Sequence, residues 1–335
     1  MKPGLIPFII FLLLIFSCSE DKTHSLSEDK EKLTVLISSI EKQGNVLMEE
    51  MDLLADFYDS LVLNKENILQ KITKDKYQFS GVYSNNTPDS DSLLSSVIIL
   101  TTTPDFNKAR DEVRYTNGLD SAFADLYYKY DLITQLYSNS ASQISRVFPA
   151  YDVANILDPD LDVTAFNFFY EADLEHNPSK GSKWILDPYV DPAGKGWILS
   201  LVHPIYDQDF LSAVVGLDIT IDNFIQEFLE DLNGDYLIVT GKGDIVGGNA
   251  TAIEALSMPP LKNHVYRETI QSDNFRISDF NLFSSKSKEV RAMAKAFLLE
   301  NQDNFEFIEE GFLTNAMCMR FSLIDWYAIK INFDN

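Results

Sequence analysis

A hairpin that carries a carboxylate in its second strand constrains this chain more than any other feature. Residues 184–224 read WILDPYVDPAGKGWILSLVHPIYDQDFLSAVVGLDITIDNF. Asp187-Pro188 and Asp191-Pro192 mark the entry, because proline fixes φ and an aspartate can bond its own backbone. Gly194 and Gly196 predict a tight reversal. Trp197–Val202 predicts a strand ended by Pro204, which has no N–H to donate. After the Asp207-Gln208-Asp209 turn, Ala213–Ile221 predicts a second strand. Asp218 lies in its middle. Strand alternation puts Asp218 on one face with Val214, Gly216 and Thr220, and the more apolar set Ala213, Val215, Leu217 and Ile219 on the other. A buried carboxylate needs a partner. Two readings stay open: a structural Asp bonded to backbone N–H groups, or a pocket-facing Asp that holds a cationic ligand group.

The N-terminus predicts export. Lys2 precedes the apolar run LIPFIIFLLLIF, too short for a comfortable transmembrane helix and typical of a bacterial secretory signal spanning 1–17. The sequence Ile15-Phe16-Ser17-Cys18 resembles a lipobox. Cys18 is then the first mature residue and carries acyl chains, which anchor stably when there is more than one. Residues 18–28 read as a polar tether. The other cysteine, Cys318, then has no intrachain partner, so no disulfide framework is expected. Cys318 reads as a small buried hydrophobe. At 335 residues and 45% hydrophobic content the chain can fill a core of its own, in two units.

A formal net charge of −24 excludes nucleic acid as a partner and leaves the lipid, rather than electrostatics, to hold a membrane. Residues 29–72 read as one long helix. Ile37, Ile40, Gly44, Leu47, Met51, Leu54, Tyr58 and Leu61 recur at spacings of three and four, an a/d seam that serves either packing along its own domain or a homodimer. Beyond it the pattern alternates strands and helices. SVIILTTT and Asp131–Tyr137 read as strands, Leu119–Lys129 as a helix, and 138–183 as loop-rich with a short helix near Ala165–Ala172. Past Asp235, Tyr236–Thr240, Phe305–Glu310, Met317–Leu323 and Trp326–Phe333 read as strands and Val290–Leu299 as a helix.

No catalytic constellation emerges. His24, His176, His203 and His264 are scattered, without zinc spacing, although His203 at a strand end could line a pocket. There is no Gly-x-Ser-x-Gly elbow. Asp158, Asp160 and Asp162 open with a calcium-loop rhythm, but Val163 stands in place of the required glycine and Phe169 in place of the glutamate, so an acidic turn is expected. GKGDIVG is a hairpin rather than a dinucleotide loop, since Val246 occupies the slot of the third glycine. The chain is read as no enzyme, with no cofactor and no metal.

Trp184, Pro188-Tyr189-x-Asp191, Ser200, Pro204-Ile205-Tyr206 and Val215-Gly216-x-Asp218-Ile219, preceded by Arg146-Val147-Phe148-Pro149, Asp158 to Asp162, Phe168-Phe169-Tyr170 and Asn177-Pro178, together resemble the double Cache (tandem PAS-like, or PDC) extracellular sensor domains. That resemblance implies an α+β fold: the long helix, then two PAS-like modules, each an antiparallel sheet flanked by helices. The membrane-distal, ligand-binding module would be 73–230 and the membrane-proximal one 231–335. It implies ligand binding by Asp218, Tyr189, Asp191, Phe168, Tyr170, Trp184, Trp197 and Ser200, with Tyr151 as a further lining candidate. In amino-acid-binding members the Asp and the Tyr face the ligand amino group, and a basic residue two before an aromatic binds the carboxylate. With Phe168 in the aromatic position, Phe166 stands where that arginine would be, so a carboxylate loses its bidentate donor. An amine or other small cation suits the pocket better. The expected protein is a lipid-anchored sensor domain of the cell envelope, facing periplasm or exterior. It carries no effector of its own and would act through a transmembrane signalling partner. The alternative is a structural or interaction lipoprotein with a degenerate pocket.

Overall fold

A computed structural model describes residues 6–84, 92–256, 280–308 and 312–334, with side chains from residue 26 onward. The lipobox side chains, Cys18 among them, those of the signal segment and His24, and the whole of His264 lie outside the described residues. The fold is α+β. A long helix, α1 (Ile6–Leu63), and the short α2 (Lys65–Lys71) precede two antiparallel sheets with flanking helices. The segment 18–28, read as a tether, is helical here and continuous with α1. Among the described residues no helix is long and apolar enough to cross a membrane.

The seam read from sequence is used by the chain itself. Ile37, Ile40, Leu47, Met51, Leu54 and Tyr58 are all buried. Their burial is the packing along its own chain that the spacing allowed.

The chain divides into two units. One takes 43–227; the other takes α1 up to residue 42 together with the described residues from 228. In the first, among the described residues, a nine-stranded sheet runs in the order β1 (Phe79–Ser80), β2 (Tyr83–Ser84), β3 (Ser96–Ile99), β5 (Ile144–Phe148), β4 (Gln135–Ser140), β9 (Phe210–Thr220), β8 (Trp197–Asp207) and β6 (Lys183–Trp184), with β7 (Tyr189–Val190) also on β8. The helices are α3 (Phe106–Tyr115), α4 (Leu119–Lys129), α5 (Val153–Ile156), α6 (Asn167–Tyr170) and α7 (Ile221–Phe228). The hairpin is as expected at its turn, where Gln208 takes φ 60°, but Pro204 does not end it. Pro204 pairs with Val214 beyond Val202, the last β8 residue that β6 covers, so a missing N–H can face an unpaired edge.

Several elements escaped the sequence reading, among them β1, β2, α5 and α7. Strand β5 lies inside the segment read as loop, and α3 was not anticipated, although Asp105 caps it by accepting from Asn107 N and Lys108 N at 3.0 and 3.1 Å.

The second unit, as described, is a five-stranded antiparallel sheet in the order β11 (Ile245–Gly248), β10 (Asp235–Thr240), β14 (Trp326–Phe333), β13 (Leu313–Arg320) and β12 (Asn304–Glu306). Helices α8 (Ala250–Ala255) and α9 (Lys288–Leu298) belong to it, α9 capped by Ser287, which accepts from Val290 N at 3.2 Å. Cys318 is buried in its core and burial pushes the thiol up to about 12. Lys330 pairs with Asp29 of α1 at 2.8 Å, with both side chains under one tenth exposed.

Candidate functional site

The first unit's sheet has two faces with different contents, and alternation assigns residues to them. On β4, Ser138 points toward α1 and donates to Tyr58 Oη at 3.2 Å. Gln135, Tyr137 and Asn139 therefore face the other way. Register carries that face outward. Gln135 pairs with Asp218, Tyr137 with Gly216 on β9 and Val147 on β5, and Asn139 with Ser145. Across β8, Ser200 pairs with Asp218. Helices α5 and α6, the 3-10 turn Val163–Ala165 and strand β7 lie over this face and leave a cleft of about 470 Å3, counted to its open mouth.

Asp218 is 1% exposed. It accepts from Gln135 Nε2 at 2.7 Å and from Ser200 Oγ, and Ser200 Oγ also bonds Tyr189 Oη at 2.8 Å. These are neutral partners. Burial first, then the charge of Asp191, pushes the Asp218 carboxyl up to about 8, while Gln135 and Ser200 pull it down. Asp191 lines the same cleft; it accepts from Ala193 N at 2.9 Å and Lys195 N at 3.0 Å, and burial raises its carboxyl as well. Gly196, at φ 92°, lets the chain turn back so that its carbonyl accepts from Asp191 N at 2.8 Å.

Aromatic rings form the wall. Phe168 meets Tyr137 edge-on at 5.6 Å, stacks on Phe166 at 5.2 Å and lies 6.4 Å from Tyr189. Gly216 makes this possible, since a Cβ there would collide with the Tyr137 ring and hydroxyl. Burial and the nearby carboxylate charge hold Tyr189 protonated, far above the usual tyrosine range. Asp191 and Asp218 are the charged residues in the lining, and no Lys or Arg is among them.

The structure thus brings together Asp218, Tyr189, Asp191 and Phe168, with Ser200 directly behind Asp218 and Tyr151 also in the lining. Three residues named from sequence are elsewhere. Trp197 alternates with Ile198 onto the face opposite Ser200, and Trp184 pairs with Leu201, which is on that same face. Tyr170 is 41% exposed and packs its ring near His176 at 5.7 Å. His203 faces α1, its Nε2 3.5 Å from Asp52. The Asp158 and Asp162 carboxylates accept from backbone two residues on, at 3.0 and 2.9 Å, as an acidic turn does. Among the described residues no group of His, Cys, Asp and Glu is arranged to hold a metal ion.

Sequence reasoning missed Gln135, Tyr137, Asn139 and Ser145. A signal existed, because QLYSNS is a fully buried strand in which most side chains are polar. Buried polar groups ask for partners or a purpose.

No family model matches the sequence, and no curated protein matches it significantly. Solved structures do resemble it in fold. The sensory domain of the Campylobacter jejuni chemoreceptor Tlp3 is 12% identical with a TM-score of 0.54, over 95% of this chain and 97% of that one. The same domain with isoleucine bound gives 13% identity and 0.53 over 95% and 96%. Its complex with L-valine gives 13% and 0.51, also over 95% and 96%. At such identity the likeness is one of fold: this chain has the fold of the double Cache sensory domains.

Proposed function

We propose that this protein is an extracytoplasmic small-molecule sensor domain whose first unit takes a small cation, an amine or an amino-acid-like amine. The observation that carries this is the cleft itself. It holds two carboxylates, Asp218 and Asp191, against an aromatic wall, with no basic side chain in its lining. Bound ammonium would gain a charge-assisted bond to Asp218 and the faces of the Tyr and Phe rings. It would also relieve the repulsion between the two acids. A ligand with a free carboxylate finds no cation where Phe166 stands. The fold likeness to amino-acid-bound sensor domains supports ligand capture in general. In this reading the protein does its work by binding, not by catalysis. The lipobox-like Ile15 to Cys18 supports attachment to a bacterial membrane through acylated Cys18, and transmission through a membrane partner.

A degenerate pocket would be sealed and would satisfy Asp218 with backbone donors. Instead the cleft has an open mouth and the donors are the side chains of Gln135 and Ser200. Titration calorimetry of the chain against alkylamines, zwitterionic amino acids and purines tests the reading. Amines are expected to bind, and Asp218→Asn to remove that binding, with Tyr189→Phe weakening it. Amine binding that Asp218→Asn leaves unchanged refutes the site.

A further inference from the structure

The cleft has two ends of different chemistry. One end is acidic, with Asp218 beside Gln135. The other is built by Asn139, 5% exposed, with Ser145 as its cross-strand partner. Both line the cleft. Among the described residues the Asn139 carbonyl oxygen has no hydrogen-bond partner although it is buried, as is also true of Gln135 Oε1 and the Tyr137 hydroxyl. A buried, unsatisfied amide is costly unless something arrives to satisfy it. No charged side chain of the lining is opposite it on β4 or β5. The other lining positions on those strands are Gln135, Tyr137 and Val147.

Between the two ends stands Tyr137, with Phe168 packed on its ring. Along β4 the order is Gln135, beside the acid of β9, then the Tyr137 ring, then the Asn139 amide. Gln135 and Asn139 are four residues apart on one strand, which separates the ends by about 13 Å. One hydrogen bond of about 2.9 Å at each end leaves a ligand roughly 7 Å long. That is the span of an ammonium and a second polar atom joined by about five carbons, since each bond of about 1.5 Å advances an extended zigzag chain by about 1.25 Å.

We propose that Asn139, supported by Ser145, is a second recognition subsite, and that the ligand is a monocation with an apolar middle and a neutral hydrogen-bonding tail, such as a hydroxyl or carboxamide. The inference rests on the cation reading above and adds the far end. An amide carries both donor and acceptor, so it suits a hydroxyl or an amide. It offers neither the cation that a carboxylate tail needs nor the carboxylate that a second ammonium needs.

The test is calorimetry on the full chain with aminopentanol, pentylamine, diaminopentane and aminopentanoate. Aminopentanol is expected to bind about tenfold tighter than pentylamine, the equivalent of one hydrogen bond to a site otherwise unsatisfied. Diaminopentane and aminopentanoate are expected to bind more weakly than aminopentanol. In Asn139→Leu the two monoamines should bind alike, with pentylamine within about threefold of its wild-type affinity. Asn139→Asp keeps the shape and adds charge, so it should shift the preference to diaminopentane. Thermal unfolding of each variant confirms that it is folded. Equal binding of aminopentanol and pentylamine by the wild type overturns the inference and leaves the cation reading intact. A preference that survives Asn139→Leu, or a wild type that favours the diamine, also overturns it. If none of the amines binds, the cation reading falls and the subsite with it.

Discussion

Asp120 and Asp218 are buried carboxylates of the same unit, 0% and 1% exposed, and they live in opposite surroundings. Asp120, on α4, is met by Arg146 at 2.6 Å and Lys76 at 2.7 Å, with hydroxyls from Tyr77 at 3.0 Å and Ser95 at 2.7 Å. Burial alone would raise its carboxyl, but Arg146 and Lys76 outweigh burial and hold it below the usual range. Asp218 meets only neutral donors and another acid, and is raised. The two differ in the charge beside them, a cation supplied from within the chain for Asp120 and a second acid, Asp191, for Asp218. Where the fold brings its own cation the carboxylate is a structural tie; where it brings none, the negative charge is left for a guest. Arg146 alternates on β5 with Ser145 and Val147, which line the cleft. The same strand thus completes the charge balance on one face and leaves it open on the other.

The largest break of that comparison is Arg146→Leu. Arg146 is fully buried, and besides Asp120 it donates to the Val113 carbonyl at 3.0 Å. Removing it leaves a carboxylate with only the partly exposed Lys76 for charge. A loss of about 3 kcal/mol is expected, as for other broken buried pairs, read from urea unfolding. With its carboxyl raised to about 8, Asp218 is largely protonated at neutral pH, so Asp218→Asn keeps both charge and hydrogen-bonding shape and should leave stability there nearly unchanged, with a gain only at higher pH. If the two variants lose the same stability, Asp218 is a structural group like Asp120 and the contrast is void.

Next in size is the pH dependence, which should have opposite signs for the two acids. Asp218 is protonated more readily in the folded chain than in the unfolded one, so its contribution is complete at low pH. That contribution is lost as pH rises from the ordinary carboxylate value of 3.8 toward about 8. The slope is at most about 1.4 kcal/mol per pH unit for one group. Asp120 behaves the other way: its contribution is present above the ordinary carboxylate range and lost as pH falls through its lowered value. Stability, read from unfolding midpoints, should therefore fall below the ordinary carboxylate range and also as pH rises from about 4 to about 8, the alkaline limb of the curve. Asp218→Asn should flatten the alkaline limb and leave the acid limb alone. A saturating amine should flatten the same limb in the wild type, because it supplies the absent charge.

How much of this could be read from the chain follows from how local each signal is. The β8–β9 hairpin, the helix at Leu119–Lys129 and the strand at Trp326–Phe333 are written in adjacent residues, and the structure agrees with each. Asp218 was legible because a carboxylate in an apolar strand is an anomaly on its own. Its partner Gln135 lies 83 positions away, and only sheet order brings the two into register. Strand β5 was hidden because the turn before it has neither Gly nor Pro. Gln143 takes φ 62° instead, held by its side chain, which donates to Asp162 at 2.7 Å and accepts from Val163 N at 3.1 Å. Without β5, Ser145 could not be placed opposite Asn139, nor Arg146 set against Asp120. The tryptophans failed for a simpler reason. Being aromatic and near Ser200 in sequence says nothing of face, and Trp197 is an odd number of residues from Ser200.

The smallest and sharpest test converts one acid's surroundings into the other's. Phe166 is half-buried in the cleft wall, stacked on Phe168 within 8° of parallel. Phe166→Arg puts a cation in the same cleft as Asp218, with the guanidinium still able to stack on an aromatic face. Asp218 should then titrate lower, the alkaline limb should shrink, and simple amines should bind about tenfold more weakly, since the charge they supplied is already there. Zwitterionic amino acids should gain relative to amines by a similar factor, because the arginine fork matches a carboxylate. Calorimetry with pentylamine and an aliphatic amino acid, beside the unfolding series, reads both effects. An amine affinity that does not change in Phe166→Arg would mean that the want of a local cation is not what makes Asp218 a binding group, and the difference between the two acids would need another cause.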